Sequence, residues 1–234
     1  MIVKKIPGFL FLLFFANLSA TAQSNISAVV ELNYNTFSHE SLNEFQQQFI
    51  RNISEVNLRV NDDFGANIGY SIGIKAKEIN TQFFVSYNST GGKISYSDFS
   101  GVIRITQLLE AYTLGGEYQF NLSKKSRKEM FYFGARGFVN YSKLDLENYS
   151  KIYDTQSTES IDFNSIDLGL GIRFIYDIPI SIVKFRLNIG YDLVLPGDLK
   201  FNDNKEFSLV DDNGDNVKTG WSGFRSGIGI VFPL

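Results

Sequence analysis

The sequence predicts an all-β chain closed into an up-and-down antiparallel barrel of eight strands that crosses a membrane. Three observations predict it: long stretches that alternate strictly between large apolar and small or polar residues, connections that alternate between short and long, and the concentration of glycine and charge on one face of each stretch. Composition narrows the function classes. Among 234 residues there is no cysteine and one histidine, while Phe, Tyr and Gly number 22, 12 and 20. A disulfide scaffold, a thiol nucleophile and a Cys-based or multi-His metal site are thereby excluded, and neither a cofactor nor a metal is expected. A net charge of -3 gives no electrostatic case for nucleic acid.

In chain order, the first feature is an address. Lys4 and Lys5 precede an apolar stretch from Ile6 to Leu18, and Ala20-Thr21-Ala22 is a small-x-small site before Gln23. This is the pattern of a secretory signal peptide over residues 1–22, its apolar part too short for the roughly 20 residues of a transmembrane helix. Residues 23–234 are then expected to form the barrel domain.

The first strand is expected from Ala28 to Thr36. The clearest follows, because Phe64, Ala66, Ile68, Tyr70, Ile72, Ile74 and Ala76 alternate with Gly65, Asn67, Gly69, Ser71, Gly73 and Lys75. Period two without a break places the two sets on opposite faces of a strand, which helical spacing cannot do. Strands from Ile79 to Tyr87, Ala111 to Phe120 and Phe131 to Tyr141 come next, then strong alternation over Ile166 to Tyr176, Val183 to Leu193 and Phe224 to Phe232. Each is roughly the length that a tilted strand needs to cross a hydrocarbon layer. Lys77-Glu78, Asn121 to Glu129 and Asp177 to Ser181 are short connections, whereas Phe37 to Asp63, Asn88 to Glu110, Ser142 to Ser165 and Val194 to Ser222 are long. A meander with these connections puts every long loop at the extracellular end and both termini at the periplasmic end.

Two barrels share this pattern, and they differ in which face meets water. A lipocalin-like barrel turns its apolar face inward, and an outer-membrane barrel turns it outward. Gly65, Gly69, Gly73, Gly115, Gly134, Gly169, Gly171, Gly190, Gly223, Gly227 and Gly229 lie on the small-or-polar faces, against Gly116 and Gly137 on the apolar ones. Glycine weakens a strand, so eleven scattered over a soluble surface would bring no gain, whereas inside a narrow barrel they make room for long side chains. Those side chains are Glu31, Lys75, Glu117, Arg136, Asp167, Arg173, Lys184, Arg186, Asp192 and Arg225, and the apolar faces carry no charge. A Lys or Arg facing lipid at the midplane would cost about 2–4 kcal/mol. Aromatic residues gather toward the strand ends: Tyr34, Phe64, Tyr87, Tyr112, Tyr141, Tyr191 and Trp221 near the long loops, and Tyr118, Phe120, Phe131, Tyr176 and Phe232 near the short turns. They read as two interfacial girdles.

With these features the chain resembles the small outer-membrane β-barrel proteins of Gram-negative bacteria, the OmpA/OmpX-like and PorT-like barrel families described broadly as porin-family proteins. The ending Gly227-Ile228-Gly229-Ile230-Val231-Phe232 is similar to the C-terminal strand signal of these families, carried here by Gly227, Ile230 and Phe232, although Pro233 and Leu234 follow where the signal ordinarily ends on the aromatic residue. The resemblance implies residence in the bacterial outer membrane, outer-membrane lipid and lipopolysaccharide as surroundings, and the barrel-insertion machinery as partner during biogenesis. No peptidoglycan-binding domain follows the barrel, so cell-wall anchoring of the OmpA kind is not expected.

Function then lies in the lumen or the loops. Six basic and four acidic side chains in an interior only wide enough for side chains are expected to pair into a salt-bridged filling. The positive excess of two leaves a narrow anion-preferring pore as the alternative. In the first long loop Ser41-Leu42-Asn43-Glu44 fits a capping box, followed by Leu42, Phe45, Phe49 and Ile53 at helical spacing, so a short helix is expected to cap the mouth. Hairpins are expected around Asn213-Gly214 and over Lys93 to Thr106, and their entry into the bilayer would raise the strand count to ten or twelve. Asp211, Asp212 and Asp215 do not match an EF-hand loop. Non-enzymatic envelope support or surface binding is the expected role. A lipid-modifying hydrolase would need a Ser–His pair near the outer rim, for which His39 and Ser41 are the candidates. The run Lys124-Lys125-Ser126-Arg127-Lys128 lies in an expected periplasmic turn, where a solvated turn competes with contact to an acidic periplasmic partner such as a secretion component.

Overall fold

The computed structural model describes residues 25–52, 57–123 and 130–234. Residues 1–22, assigned above to a signal peptide, and the basic run from Lys124 to Lys128 lie outside the described residues.

The elements in order are β1 (Ile26–Ser38), α1 (Glu40–Asn52), β2 (Arg59–Asp63), β3 (Asn67–Ala76), β4 (Thr81–Ser97), β5 (Gly101–Asn121), β6 (Met130–Ile152), β7 (Thr155–Ile180), β8 (Val183–Leu195), β9 (Lys200–Phe201) and β10 (Ser222–Pro233). Eight strands pair antiparallel in the ring β1-β3-β4-β5-β6-β7-β8-β10, and β10 closes it on β1, from Ser27 opposite Pro233 to Ser38 opposite Ser222. A closed ring leaves no strand edge inside the bilayer, where an unpaired amide or carbonyl would find no water. Each strand expected in the ring is present. Between neighbours the short turns lie at one end, and left-handed Asn80 (φ 51°) and Ser181 (φ 56°) turn the chain there.

Every ring strand alternates buried and exposed residues in its membrane part. The exposed set is apolar: Ile68, Tyr70, Ile72 and Ile74 on β3, Leu168, Leu170 and Ile172 on β7, Ile189 and Leu193 on β8. Leu170 keeps 70% of its surface exposed and Leu114 66%, which only an apolar solvent makes favourable over so wide a belt. Toward the long-loop end, Tyr70, Tyr87, Tyr112 and Tyr141 stand opposite one another on four consecutive strands, a row at the depth where amphipathic rings prefer to sit.

Above that row two of the four long connections, Asn88 to Glu110 and Ser142 to Ser165, are paired strands and not loops. β4 and β5 stay paired to Ser97 opposite Val102, and β5 and β6 from Tyr112 opposite Tyr141 to Gly101 opposite Ile152. β7 remains on β6 up to Thr155 opposite Ile152, so Ser142 to Ser165 forms a tall hairpin. These extensions are about 35 Å of strand beyond the tyrosine row. Because they continue ring strands rather than insert new ones, the count stays at eight. Around Asn213-Gly214 the chain makes a tight turn tied by isolated bridges, Val210 to Asn216 and Lys200 to Ser208.

Three expected placements change. β3 begins at Asn67 rather than Phe64: Phe64 takes a left-handed backbone (φ 57°) that turns its ring inward, where it is 2% exposed, while Gly65 is exposed with open space where a Cβ would lie. Trp221 is likewise inside the mouth and not in the rim girdle, since it precedes β10. The helix begins at Glu40, and Ser41 does not cap it; its hydroxyl accepts a hydrogen bond from the Lys218 amide at 3.0 Å, while the His39 carbonyl accepts the Asn43 amide.

Candidate functional site: the barrel interior and its mouth

Two tiers of ion pairs occupy the interior. In the tier nearer the short turns, Arg173 donates to Glu117 at 2.6 and 3.0 Å and to Glu31 at 3.0 Å. Arg186 clamps Asp177 at 2.7 and 2.9 Å and donates to Gln82 at 2.8 Å, with Glu31 3.5 Å away. Both clamps are forked guanidinium–carboxylate pairs, the strongest ionic geometry available to side chains. Ser71 adds a hydroxyl to Glu31 at 3.1 Å. In the second tier Asp192 lies between Arg225 at 3.2 Å and Arg136 at 3.6 Å. The Arg136 guanidinium also lies over the rings of Phe84 and Phe138 at 4.4 and 4.8 Å, which begins the transition from ions to an apolar filling.

Of the ten charges assigned to the lumen, nine are buried, and Lys184 is half-buried near the short-turn end. They do not all pair. Asp167 has no cation among the described residues; it is satisfied by the hydroxyls of Ser142, Ser165 and Thr219 and the amide of Gly197, at 2.7–2.9 Å. Lys75 packs its ammonium 3.9 Å over the Tyr132 ring, and Lys184 sits beside the Met130 sulfur. Asp177 escaped the sequence reading because β7 runs on to Ile180 and keeps inward alternation where a turn was expected. Its odd position, two after Ile175, was the available signal.

Glycine provides the space. A Cβ on Gly134 would meet Glu117 at 3.0 Å, one on Gly171 would meet Asp192 at 2.2 Å, and one on Gly169 would strike the Phe138 ring at 2.2 Å. The long inward side chains thus lie across glycines of adjacent strands.

Nearer the mouth an apolar cluster takes over, with Phe37, Phe64, Phe84, Leu109, Phe138, Phe163 and Trp221 buried together. α1 closes it from above. Leu42 and Gln46 of α1 are fully buried, Gln46 donates to Gln107 at 2.9 Å, and Phe49 packs against Leu58, Ile94 and Ile105 on the inner wall of the hairpins. Two amides on the far side of α1 hold the tight turn: Gln48 donates to Asp211 at 3.1 Å and Asn52 to Asp212 at 2.9 Å. The Gln48 amide first, then the backbone amides of Asp215 and Asn213, hold the Asp211 carboxyl below its ordinary range. Its oxygens are thereby already engaged, and no group of metal-ligating side chains occurs among the described residues.

His39 and Ser41 are not brought together by any hydrogen bond among the described residues. The His39 ring is 2% exposed, edge-on to Trp221 at 4.9 Å and tilted against Phe64 at 5.8 Å. Burial alone pushes its pKa down to about 4. Of the residues in the terminal signal, Ile230 and Phe232 face outward while Gly227 faces inward over Asn33, on a strand paired on both sides.

Ring closure, an uncharged exposed belt and buried ion pairs are together the reverse of a water-soluble protein. The molecule is an eight-stranded membrane-spanning β-barrel. No protein-family model matches the chain, and no curated protein matches it. Among solved structures it is similar to Neisserial surface protein A (NspA), with 13% identity and a TM-score of 0.37 over 90% of this chain and 98% of that one. It is also similar to the outer membrane protease OmpT from Escherichia coli, with 8% identity and a TM-score of 0.26 over 89% and 96% of the two chains. Both likenesses are remote, and the barrel stands on its own strand pairings and its apolar belt.

Proposed function

We propose that the barrel is a non-conducting, non-enzymatic scaffold of the outer membrane that presents its tall extracellular hairpins for binding or envelope support. The observation that carries this reading is the continuity of the filling: the Arg173–Glu31–Arg186 tier, the Arg136–Asp192–Arg225 tier, the aromatic cluster and α1 follow one another along the axis. Solute passage would require buried ion pairs to part, and a buried charge stripped of its partner costs about 3–5 kcal/mol. The enclosed His39 ring and the Ser41 hydroxyl engaged by Lys218 favour the non-enzymatic side of the reading. Lipopolysaccharide and outer-membrane lipid would meet the tyrosine row and the belt below it, and the insertion machinery would read Gly227, Ile230 and Phe232.

The test is electrical. Purified protein in planar bilayers is expected to give no discrete conductance steps, and shortening the hairpins around Asp98 to Gly101 and Ile152 to Thr155 is expected to remove surface binding while the barrel still folds. Regular anion-selective steps from the unaltered protein would replace this reading with that of a narrow pore.

A further inference from the structure

We propose that His39 is an acid-sensitive latch, whose protonation releases α1 from the barrel mouth. The inference goes beyond the scaffold reading and rests on the interface between α1 and the barrel. His39 is the hinge residue between β1 and α1, and its carbonyl accepts the first helical amide, that of Asn43, at 3.0 Å. Its ring is buried between Trp221, which leads into β10, and Phe64, which leads into β3, so one imidazole joins three parts of the mouth. Neither ring nitrogen meets a hydrogen-bond partner among the described residues. A neutral imidazole tolerates an aromatic box of this kind; an imidazolium there has two donors and no acceptor.

The charged groups around the box offer the cation little. On its own segment Glu40 is exposed and takes the Ser38 hydroxyl. Asp62 and Asp63 end β2 ahead of Phe64 and are exposed. Lys218 precedes Trp221, and Arg225 lies over the Phe37 ring at 5.5 Å, both cationic. Asp167, beyond Trp221, is saturated by three hydroxyls and an amide. Asp211 and Asp212 grip the opposite end of α1 through Gln48 and Asn52. Burial is therefore unopposed, and the ring stays neutral until about pH 4. Once charged it leaves the box for water, and the helix that begins beside it leaves with it.

Trp221 is the only tryptophan in the chain, so its emission reports the box directly. Protein folded in detergent micelles is titrated from pH 8 to pH 4, while hydrogen exchange is followed over α1. The wild type should show a reversible red shift that is about half complete at pH 4, with protection lost over Glu40 to Asn52. His39→Phe, checked for the heat-dependent gel mobility of a folded barrel, should keep blue emission and a protected helix throughout; His39→Leu serves if the larger ring does not fold. An identical transition in the variant, or emission that changes while α1 stays protected, would overturn the latch. So would a wild type without any shift.

Discussion

Arg173 reaches Glu117 across a glycine. Arg173 stands on β7, Glu117 on β5, and the strand between them presents Gly134, opposite both Arg173 and Gln119, so the guanidinium and carboxylate meet at 2.6 Å over bare backbone. Without a Cβ there, two side chains 56 positions apart in sequence bridge neighbours that are not paired. The same carboxylate accepts from Gln119, and the same guanidinium reaches Glu31 across the lumen. The tier is therefore one connected network.

Breaking that network on one side should be more damaging than removing it. Arg173→Met leaves Glu117 and Glu31 short of a cation in a buried setting, at a cost of about 3–5 kcal/mol in urea-induced unfolding. Adding Glu117→Gln should recover part of the loss, because the second change removes a buried charge. A double variant as weak as the sum of the two singles would show that the residues do not act together.

Glycines of the two faces should respond oppositely to alanine. At Gly169 the new methyl carbon would fall 2.2 Å from the Phe138 ring, whereas at Gly116 the nearest atom, on Phe83, is 3.7 Å away. Gly169→Ala is expected to cost about 1–3 kcal/mol through overpacking. Gly116→Ala should be neutral or slightly stabilising, because it restricts the unfolded chain. Denaturant midpoints measured side by side separate the two.

The belt predicts a depth-dependent penalty. Leu170→Arg should cost about 2–4 kcal/mol of folding stability in lipid vesicles. The same change at Phe207, 61% exposed but in the connection beyond the tyrosine row, should lie within about 0.5 kcal/mol of wild type.

Acid should also loosen the far end of α1. The Asp211 carboxyl is held below the ordinary aspartate value of 3.8, chiefly by the Gln48 amide, so the folded form favours its ionised state. The stabilisation is fully present above that ordinary value and is lost as pH falls through the depressed one. Measured in His39→Phe, where α1 stays docked, amide exchange at Asn213 and Asp215 should thus be pH-independent near neutrality, after correction for intrinsic rates, and accelerate only in strong acid. In Asp211→Asn the acid dependence should vanish.

The ring was legible because membrane solvent imposes a strict period of two: each of Ile68 to Ile74 on β3 and Ile166 to Phe174 on β7 must choose lipid or lumen, and the sequence shows the choice. That rule lapses at the rim. Phe64 is aromatic, at a strand end and in line with the lipid face, yet its left-handed backbone carries the ring inside. Trp221 shares the odd-numbered inward parity of Gly223 and Arg225, so alternation already pointed it under α1 and only its place at the strand end suggested a rim. Above the rim water covers the outer wall, so polar and apolar residues mix on it, and the paired extension of β6 and β7 past Ser142 and Ser165 resembles a polar loop in sequence. Asp177 is missed because the short segment from Asp177 to Ser181 reads as a turn, although Ile178 and Ile180 continue the apolar face of β7 past it. The ten lumen charges were visible as a set, but which of them pair depends on barrel shear and on glycine gaps between strands, which alternation alone does not encode.

The assignment of faces is tested most directly by spin labels on single cysteines, which this cysteine-free chain accepts one at a time. Labels at Ile68, Tyr70, Ile72 and Ile74 in vesicle-embedded protein should collide freely with molecular oxygen dissolved in the lipid, and a label at Ser71 should be shielded from it. Oxygen accessibility that peaks at Ser71 and falls at its even-numbered neighbours would mean that the apolar face lines the interior, and would contradict the membrane barrel.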